Sequence, residues 1–342
     1  MNQREREMDR WTWLRNLWEM KEIFGQKLMT YHLPPHLVPN NLYGISVIIT
    51  GATSGIGLRT AQELAKAGAH VIMACRNTKA ASKIACQWKE EAHNSIVPNV
   101  EVMELDLLSL SSVRQFAAAW EQRAKALNIL INNAGVYLMG EPQKFTDEGL
   151  EQHIQVNHIA PAMLSLLLLP SLLRAPSSRI IHVNSVAHHC AVVETKYWNS
   201  RIEEHKFSSF KAYGSSKLAH LMFLKILANK LVEQKKTSIQ CLAVHPGVVS
   251  TNLVPAFQKK SFWMFDSVEG ARSVLFCATS AEVEAHLVKG FAYYTCNCKP
   301  ARMSPHTADM DACLDVWQKT MEILQLNTDY LSHVMTGMCD KS

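Results

Sequence analysis

The sequence predicts an α/β domain built on a doubly wound parallel sheet, on three observations. Short β-branched runs, Val47 to Ile49 and Ile129 to Ile131 among them, alternate with stretches of helical periodicity, as in strands covered by helices on both faces. A glycine turn, Thr50-Gly51-Ala52-Thr53-Ser54-Gly55-Ile56-Gly57, joins the first strand to the first helix. Asp106, Asn132 to Gly135, Ser185 and Pro246-Gly247 each directly follow a strand, where such sheets bind ligands. The expected architecture is a Rossmann-type single domain with an N-terminal helical arm and a C-terminal helical extension. Residues 1–43 form the arm and a proline-containing linker, 44–300 the domain, and 301–342 the extension.

In the arm, Trp11, Leu14 and Trp18 share helical spacing, as do Trp13, Leu17, Met20 and Phe24, beside Arg10, Arg15 and Lys21. Such a face fits a helix packed on the domain or on its mate in a homodimer, and it fits a helix lying on a membrane surface. Both readings stay open. Pro34, Pro35 and Pro39 stiffen the linker. Strand 1 ends at the glycine turn. A helix follows from Leu58 to Ala67 with apolar Leu58, Ala61, Leu64 and Ala65, and Gly68 stands where a C-cap glycine belongs. Val71 to Ala74 is strand 2, Thr78 to Ala92 a charged helix, and Val100 to Leu105 strand 3. Ser109, Ser111 and Ser112 offer N-caps for a helix through Arg123. Ile129 to Ile131 is strand 4, and Glu151 to Leu169 reads as one long helix carrying Asn157. Arg179 to Val183 is strand 5, followed by a polar insertion from Val186 to Ala212. Tyr213 to Val232 is a helix, Ile239 to Val244 strand 6, and Gly290 to Thr295 a last strand. Ala308 to Gln325, with Cys313, Leu314, Trp317, Met321 and Leu324 on one stripe, reads as a packed terminal helix.

Composition narrows the function classes. A net charge of +5 over 342 residues, with no basic run, argues against nucleic acid as a partner. Nine cysteines without regular spacing point to free thiols in a reducing compartment. The implied location is intracellular, in the cytoplasm or peripherally on a membrane, with the plastid left open. Cys296 and Cys298 have no second pair nearby, so no metal site is expected and they read as small apolar residues near the sheet edge. No apolar stretch approaches the ~18 residues that span a bilayer; the longest, Ile159 to Leu173, is broken by Pro161 and Pro170.

The chemistry lies in the strand-end residues. A glycine turn lets backbone approach a pyrophosphate closely, and the next helix points free N–H groups and its positive dipole end at the anion. The spacing is G-x-x-x-G-x-G rather than the commonest dinucleotide fingerprint. Tyr213 and Lys217 lie four apart and share a helix face. A phenol with a pKa of about 10 is a poor acid or base at neutral pH, and a nearby ammonium is expected to lower it. Ser185 can donate to a carbonyl oxygen as charge builds there. Asn157 can hold a water that relays protons to Lys217. On its own, Y-x-x-x-K usually marks a solvated helix face.

Order gives these elements weight. T-G-A-T-S-G-I-G from Thr50, N-N-A-G from Asn132, then Asn157, Ser185 and Y-G-S-S-K from Tyr213 occur in sequence, with Pro246-Gly247 after them. Together they resemble the short-chain dehydrogenase/reductase family over Leu42 to Thr295. A-H-V-I-M-A-C-R-N, Q-V-N-H and the Trp317-bearing helix resemble the branch that holds retinol dehydrogenases. R-N-T-K-A-A, D-L-L-S-L and E-Q-H-I-Q-V-N-H are similar to a plant member of that branch linked by its name to shoot-apex development. The resemblance implies Asn157, Ser185, Tyr213 and Lys217 as the catalytic set, with Tyr213 as acid and base. It implies cofactor contacts from Gly51, Ser54, Ile56 and Gly57 at the pyrophosphate and Asp106 at the adenine. Asn133, Ala134 and Gly135 would lie near the ribose with Tyr213 and Lys217, and Val248 and Thr251 near the carboxamide. The interval from Ser185 to Tyr213 is longer than in many members.

The end of strand 2 carries no carboxylate to bind a ribose 2′-hydroxyl. It carries Cys75 and then Arg76, whose guanidinium suits a 2′-phosphate. NADP, as NADPH in reduction, is the expected cofactor; the plain alternative is that Arg76 merely finishes the strand. Leu253, Val254, Phe257, Phe262, Trp263, Met264 and Phe265 follow strand 6, where the family places its substrate lid. They suit a small apolar alcohol/carbonyl pair, or they pack on the core. His188 and His189 could reach substrate or form a solvated loop pair. The resulting reading is an NADP(H)-dependent oxidoreductase. Its rival is a nucleotide-binding regulatory or scaffold protein with vestigial chemistry.

Overall fold

The structure, a computed structural model, describes residues 25–30, 32–34, 38–39, 41–92, 97–234, 239–251, 264–327 and 329–336. Seven parallel strands form one sheet: β1 (Ser46–Thr50), β2 (His70–Cys75), β3 (Asn99–Glu104), β4 (Ile129–Asn132), β5 (Ser178–Val183), β6 (Ile239–Val244) and β7 (Phe291–Tyr294). Their order is β3-β2-β1-β4-β5-β6-β7. The order reverses between β1 and β4, so a cleft opens beyond the carboxyl ends of those two strands.

Helices α1 (Gly55–Lys66), α2 (Thr78–Glu91) and α3 (Leu110–Glu121) cross between the first four strands. After β4 come α4 (Gln152–Ile154), α5 (Ala160–Leu167) and α6 (Leu169–Leu173). Then follow α7 (Ser209–Glu233), α8 (Ser267–Thr279), α9 (Met310–Leu324) and α10 (Tyr330–Thr336). Strand alternation sorts the core into two layers. Ile49, Met73, Ile181 and Leu242 pack against the side of α1 and α8. Ile48, Ile72, Ile180 and Cys241 pack with α3, α5, α7 and α9. Helix α9 puts Cys313, Val316, Trp317, Met321 and Leu324 into this second layer, and Trp317 stacks on Phe223 of α7 at 5.1 Å. Leu314, expected on the same stripe, is exposed instead; Val316 and Thr320 complete the buried face.

The single helix expected from Glu151 to Leu169 is three pieces. Residues Gln155–Ile159 make a π turn between α4 and α5. Pro161 has no N–H to offer the Asn157 carbonyl four residues back, which favours the wider turn. Pro170 does the same to Leu166, whose carbonyl accepts from the Tyr330 hydroxyl at 3.3 Å. Helix α7 starts at Ser209, four residues earlier than the sequence suggests, because the Ser208 side chain caps it at the Lys211 N–H. That sets Tyr213 in the second turn.

The tryptophan-bearing part of the arm and lid positions Leu253, Val254, Phe257, Phe262 and Trp263 lie outside the described residues. Residues 25–30 are helical. Among the described residues no helix is long and apolar enough to cross a membrane.

Candidate active site

The glycine turn is built as a close approach. Gly51 and Gly55 hold φ of +68° and +56°, values that L side chains rarely adopt. Thr50 fixes the neighbouring loop: its hydroxyl accepts from the backbone N–H groups of Asn133 and Ala134 at 3.0 and 2.9 Å. The Asn133 amide donates to the Thr50 carbonyl at 2.9 Å. A Cβ at Gly57 would stand 2.4 Å from that amide and 2.6 Å from the Gly51 carbonyl. The Asn133 side chain therefore braces the turn, while Ala134 and Gly135 carry the loop onward along the cleft. Ser54 is the N-cap of α1 in position, yet its side chain makes no cap hydrogen bond, and the first turn holds no acid. The N–H groups of that turn thus remain suited to an anion. Arg76 is exposed just past β2, beside Asn77, which caps α2. Asp106 follows β3, its carboxylate accepting from the Leu108 N–H at 3.0 Å.

Across the cleft the residues expected to react converge. Val136 and Asn157 pair edge to edge: the Val136 N–H donates to Asn157 Oδ1 at 2.8 Å, and Asn157 Nδ2 donates to the Val136 carbonyl at 2.9 Å. Asn157 Nδ2 also donates to Ser216 Oγ at 3.0 Å. Its side chain is consumed in joining the π turn, the β4 loop and α7. Gly135 passes between Asn157 and Lys217; a Cβ there would lie 3.0 Å from Asn157 Oδ1 and 3.3 Å from Lys217 Nζ. Lys217, buried, donates to the Val183 carbonyl at 3.0 Å. Asn184 Nδ2 ties β5 to α7 by donating to the Lys217 carbonyl at 3.0 Å. The Ser185 hydroxyl lies near enough to the Tyr213 phenol to favour its ionised form.

Electrostatics here differ from the expectation. Burial pushes the Tyr213 phenol up, and the Ser185 side chain opposes that shift. Lys217 Nζ is turned to Val183 and lies 5.9 Å from the Tyr213 ring centroid. Burial in turn pulls the Lys217 ammonium down to about 8. The phenol is thus kept protonated at neutral pH, a proton donor toward a carbonyl, with a cation beneath it whose charge titrates within reach of physiological pH.

Several residues at this site escaped the sequence reading. Tyr137 stacks on Tyr213 at 4.7 Å, with Phe210 at 6.4 Å from Tyr137. Buried His153 lies edge-on to Tyr213 at 6.4 Å. Its Nε2 accepts from the Leu138 N–H at 3.0 Å, so its proton sits on Nδ1, facing Glu151 at 2.7 Å. This chain of contacts fixes the loop that carries Tyr137. His153 stands four residues before Asn157, and Tyr137 two after Gly135; those spacings were the available signal. His188 is not part of a solvated pair. It is buried, its Nδ1 donates to the Ser185 carbonyl at 2.7 Å, and burial draws its pKa down to about 3. Phe265 is not a free lid residue, because its ring fills the space where a Cβ on Gly247 would sit, 2.1 Å away. Cys296 packs with Val249 and Phe265.

An uncapped glycine turn at a switch point, across the cleft from a serine just past β5 and a tyrosine and lysine of α7, fits the class of nucleotide-binding oxidoreductases. Within it, the sequence profile described as short chain dehydrogenase matches residues 46–261, and the chain belongs to that family. It is 43% identical over 332 residues to the Arabidopsis thaliana dehydrogenase/reductase SDR family member FEY, covering 92% of this chain and 88% of that one. Identity to human retinol dehydrogenase 12 is 35% over 290 residues, with 83% and 87% covered. A solved structure of an uncharacterized protein from Mycobacterium paratuberculosis superposes with a TM-score of 0.68 at 31% identity, covering 85% of this chain and 96% of that one.

Proposed function

We propose that this oxidoreductase interconverts a small apolar alcohol and its carbonyl with NADP(H). The observation that carries the reading is the gathering of Ser185, just past β5, with Tyr213 and buried Lys217 of α7, whose Nζ lies 5.9 Å from the Tyr213 ring centroid. The turn at Gly51 to Gly57 and the uncapped end of α1 suit a pyrophosphate. Exposed Arg76, with no carboxylate where β2 ends, suits a 2′-phosphate. A nicotinamide dinucleotide held there supplies or accepts the hydride.

The chain's own residues manage the proton and the oxygen. Tyr213 hands its hydroxyl proton to the carbonyl oxygen in reduction and takes it back in oxidation. Ser185 donates a hydrogen bond to the same oxygen as it gains charge. Lys217 stabilises the phenolate that remains, and Asn157 holds the helix and loop that aim them. Tyr137 and Phe210 give the Tyr213 side of the cleft an aromatic lining, which suits an apolar substrate. The names of the retinol dehydrogenase relatives agree with that class.

A fluorescence titration with NADPH, followed by an aldehyde and ketone panel, tests the proposal. NADPH is expected to outperform NADH; equal efficiency with the two would refute the 2′-phosphate assignment. A Tyr213→Phe protein that keeps full turnover would end the catalytic assignment. If that variant also rescued a plant lacking the similar FEY protein, the regulatory rival would take its place.

A further inference from the structure

We propose that Gln26 and Lys27, upstream of the matched family region, are positioning residues: they form a strap that fixes residues 245–251, the wall of the cleft after β6. The proposal rests on the reading that NADP(H) occupies this cleft, with Val248 and Thr251 at its nicotinamide end.

Two independent grips hold the strap. Gln26 is buried, and its Oε1 accepts from His245 Nε2 at 3.2 Å. His245 is the first residue after β6, and its backbone N–H donates to the Tyr294 carbonyl at 2.9 Å. One residue on, Lys27 Nζ meets both carboxylate oxygens of Glu269 at 2.5 and 2.6 Å and sits 5.1 Å from the centroid of the Phe265 ring. Phe265 in turn grips the wall. Its ring lies against Gly247, and its backbone exchanges hydrogen bonds with the wall, Phe265 N–H to Val248 O and Ser250 N–H to Phe265 O, both 2.9 Å. Farther along, Arg272 of α8 donates to the Leu33 carbonyl at 2.9 Å.

The wall therefore has a support at each end that comes from outside the matched region: Gln26 at His245, its start, and Lys27 over Phe265 on its far side. The wall also touches the phosphate turn, since a Cβ on Gly55 would meet Thr251 Cγ2 at 3.0 Å. A loosened strap would thus be felt where the dinucleotide lies. Simple packing of an arm on a domain needs apolar contact. Here the grips are an amide, an ammonium and a carboxylate aimed at the two flanks of one short loop.

The experiment uses the full chain, comparing wild type with Gln26→Leu/Lys27→Met, Glu269→Gln and Lys27→Arg. Glu269→Gln leaves an oxygen for the α8 capping box while removing the charge Lys27 needs, so it serves if the double variant does not fold. Amide hydrogen exchange over 245–251, measured without nucleotide, is expected to quicken in the first two variants and to match wild type in Lys27→Arg. KM for NADPH is expected to rise about tenfold in the double variant with kcat changed less than about twofold, the scale of one buried amide contact plus one partly buried ion pair. Unchanged exchange over 245–251, or a fall in melting temperature with no change in KM, would overturn the strap. Should wild type bind no NADPH, the proposed function fails while the exchange measurement still judges the strap.

Discussion

The two faces of the sheet are built from different materials. Behind α1 and α8 the strands present aliphatic Ile49, Met73, Ile181 and Leu242. Behind α5, α7 and α9 the same strands present His182 and Asn132 among the aliphatics, and the helices add His158, His220, Ser165 and Thr320, all buried. His182 stacks on His220 at 3.7 Å; His158 Nδ1 lies 3.3 Å from His220 Nδ1, and its Nε2 lies 2.8 Å from Thr320 Oγ1. The faces also divide the site. The glycine turn and Arg76 flank the helices of the aliphatic face, whereas Asn157, Tyr213 and Lys217 come from the helices of the polar one. One face carries the glycine turn; the other carries Asn157, Tyr213 and Lys217 with a polar interior behind them.

The largest effect expected to separate the faces is on turnover. Tyr213→Phe should lower kcat by about 10²–10⁴-fold with the melting temperature nearly unchanged, checked by steady-state kinetics beside calorimetry. On the aliphatic face the effect should be on stability. Ile181→Ala should cost about 2–5 kcal/mol in a urea titration, while kcat of the folded enzyme stays close to wild type. A matching loss of kcat would break the division.

Acid should distinguish the faces next. Burial holds His158 at about 3 and draws His182 and His220 well below the usual imidazole range. A base kept neutral in the fold binds more protons when unfolded, so its stabilisation is complete above the ordinary value near 6.5 and is lost as pH falls from there toward the folded values. The denaturant midpoint should drop from pH 7 to pH 5, and His182→Leu/His220→Leu should flatten the drop. Lys217 runs the other way along the pH axis. Its ammonium is lost as pH rises through about 8, so the rate of carbonyl reduction should decline above that point. The smallest effect belongs to Arg76→Ala, expected to reduce the NADPH-over-NADH preference by roughly tenfold with kcat unchanged.

The aliphatic face and its glycine turn were legible in the sequence because local rules write them. β-Branched runs, a helix start and close-approach glycines all lie within one short stretch. Ser185, Tyr213 and Lys217 were legible from order and resemblance. The polar interior was not. His182 alternates with Ile181 in β5 as any strand residue would, and only the fold sets it on His220. Helix α7 is apolar nearly all round, so its periodicity could not say which side faces the sheet. The grip of Gln26 on His245 spans 219 positions, far beyond any spacing rule. The tuning of Tyr213 depends on the fold in the same way: four-residue spacing puts Lys217 on the same side of the helix, but burial pushes the phenol up and the Val183 carbonyl sets where the Lys217 nitrogen points.

The π turn at Gln155–Ile159 makes segment length part of the candidate site's geometry. A turn that holds one residue more than an α-helix shifts the phase of everything after it by about 100°. Deleting a single amino acid there would tighten the turn and swing the Asn157 side chain out of register with its two backbone partners on Val136. Homologous chains compared by residue identity alone could keep every reacting group and still lose the geometry through one gap.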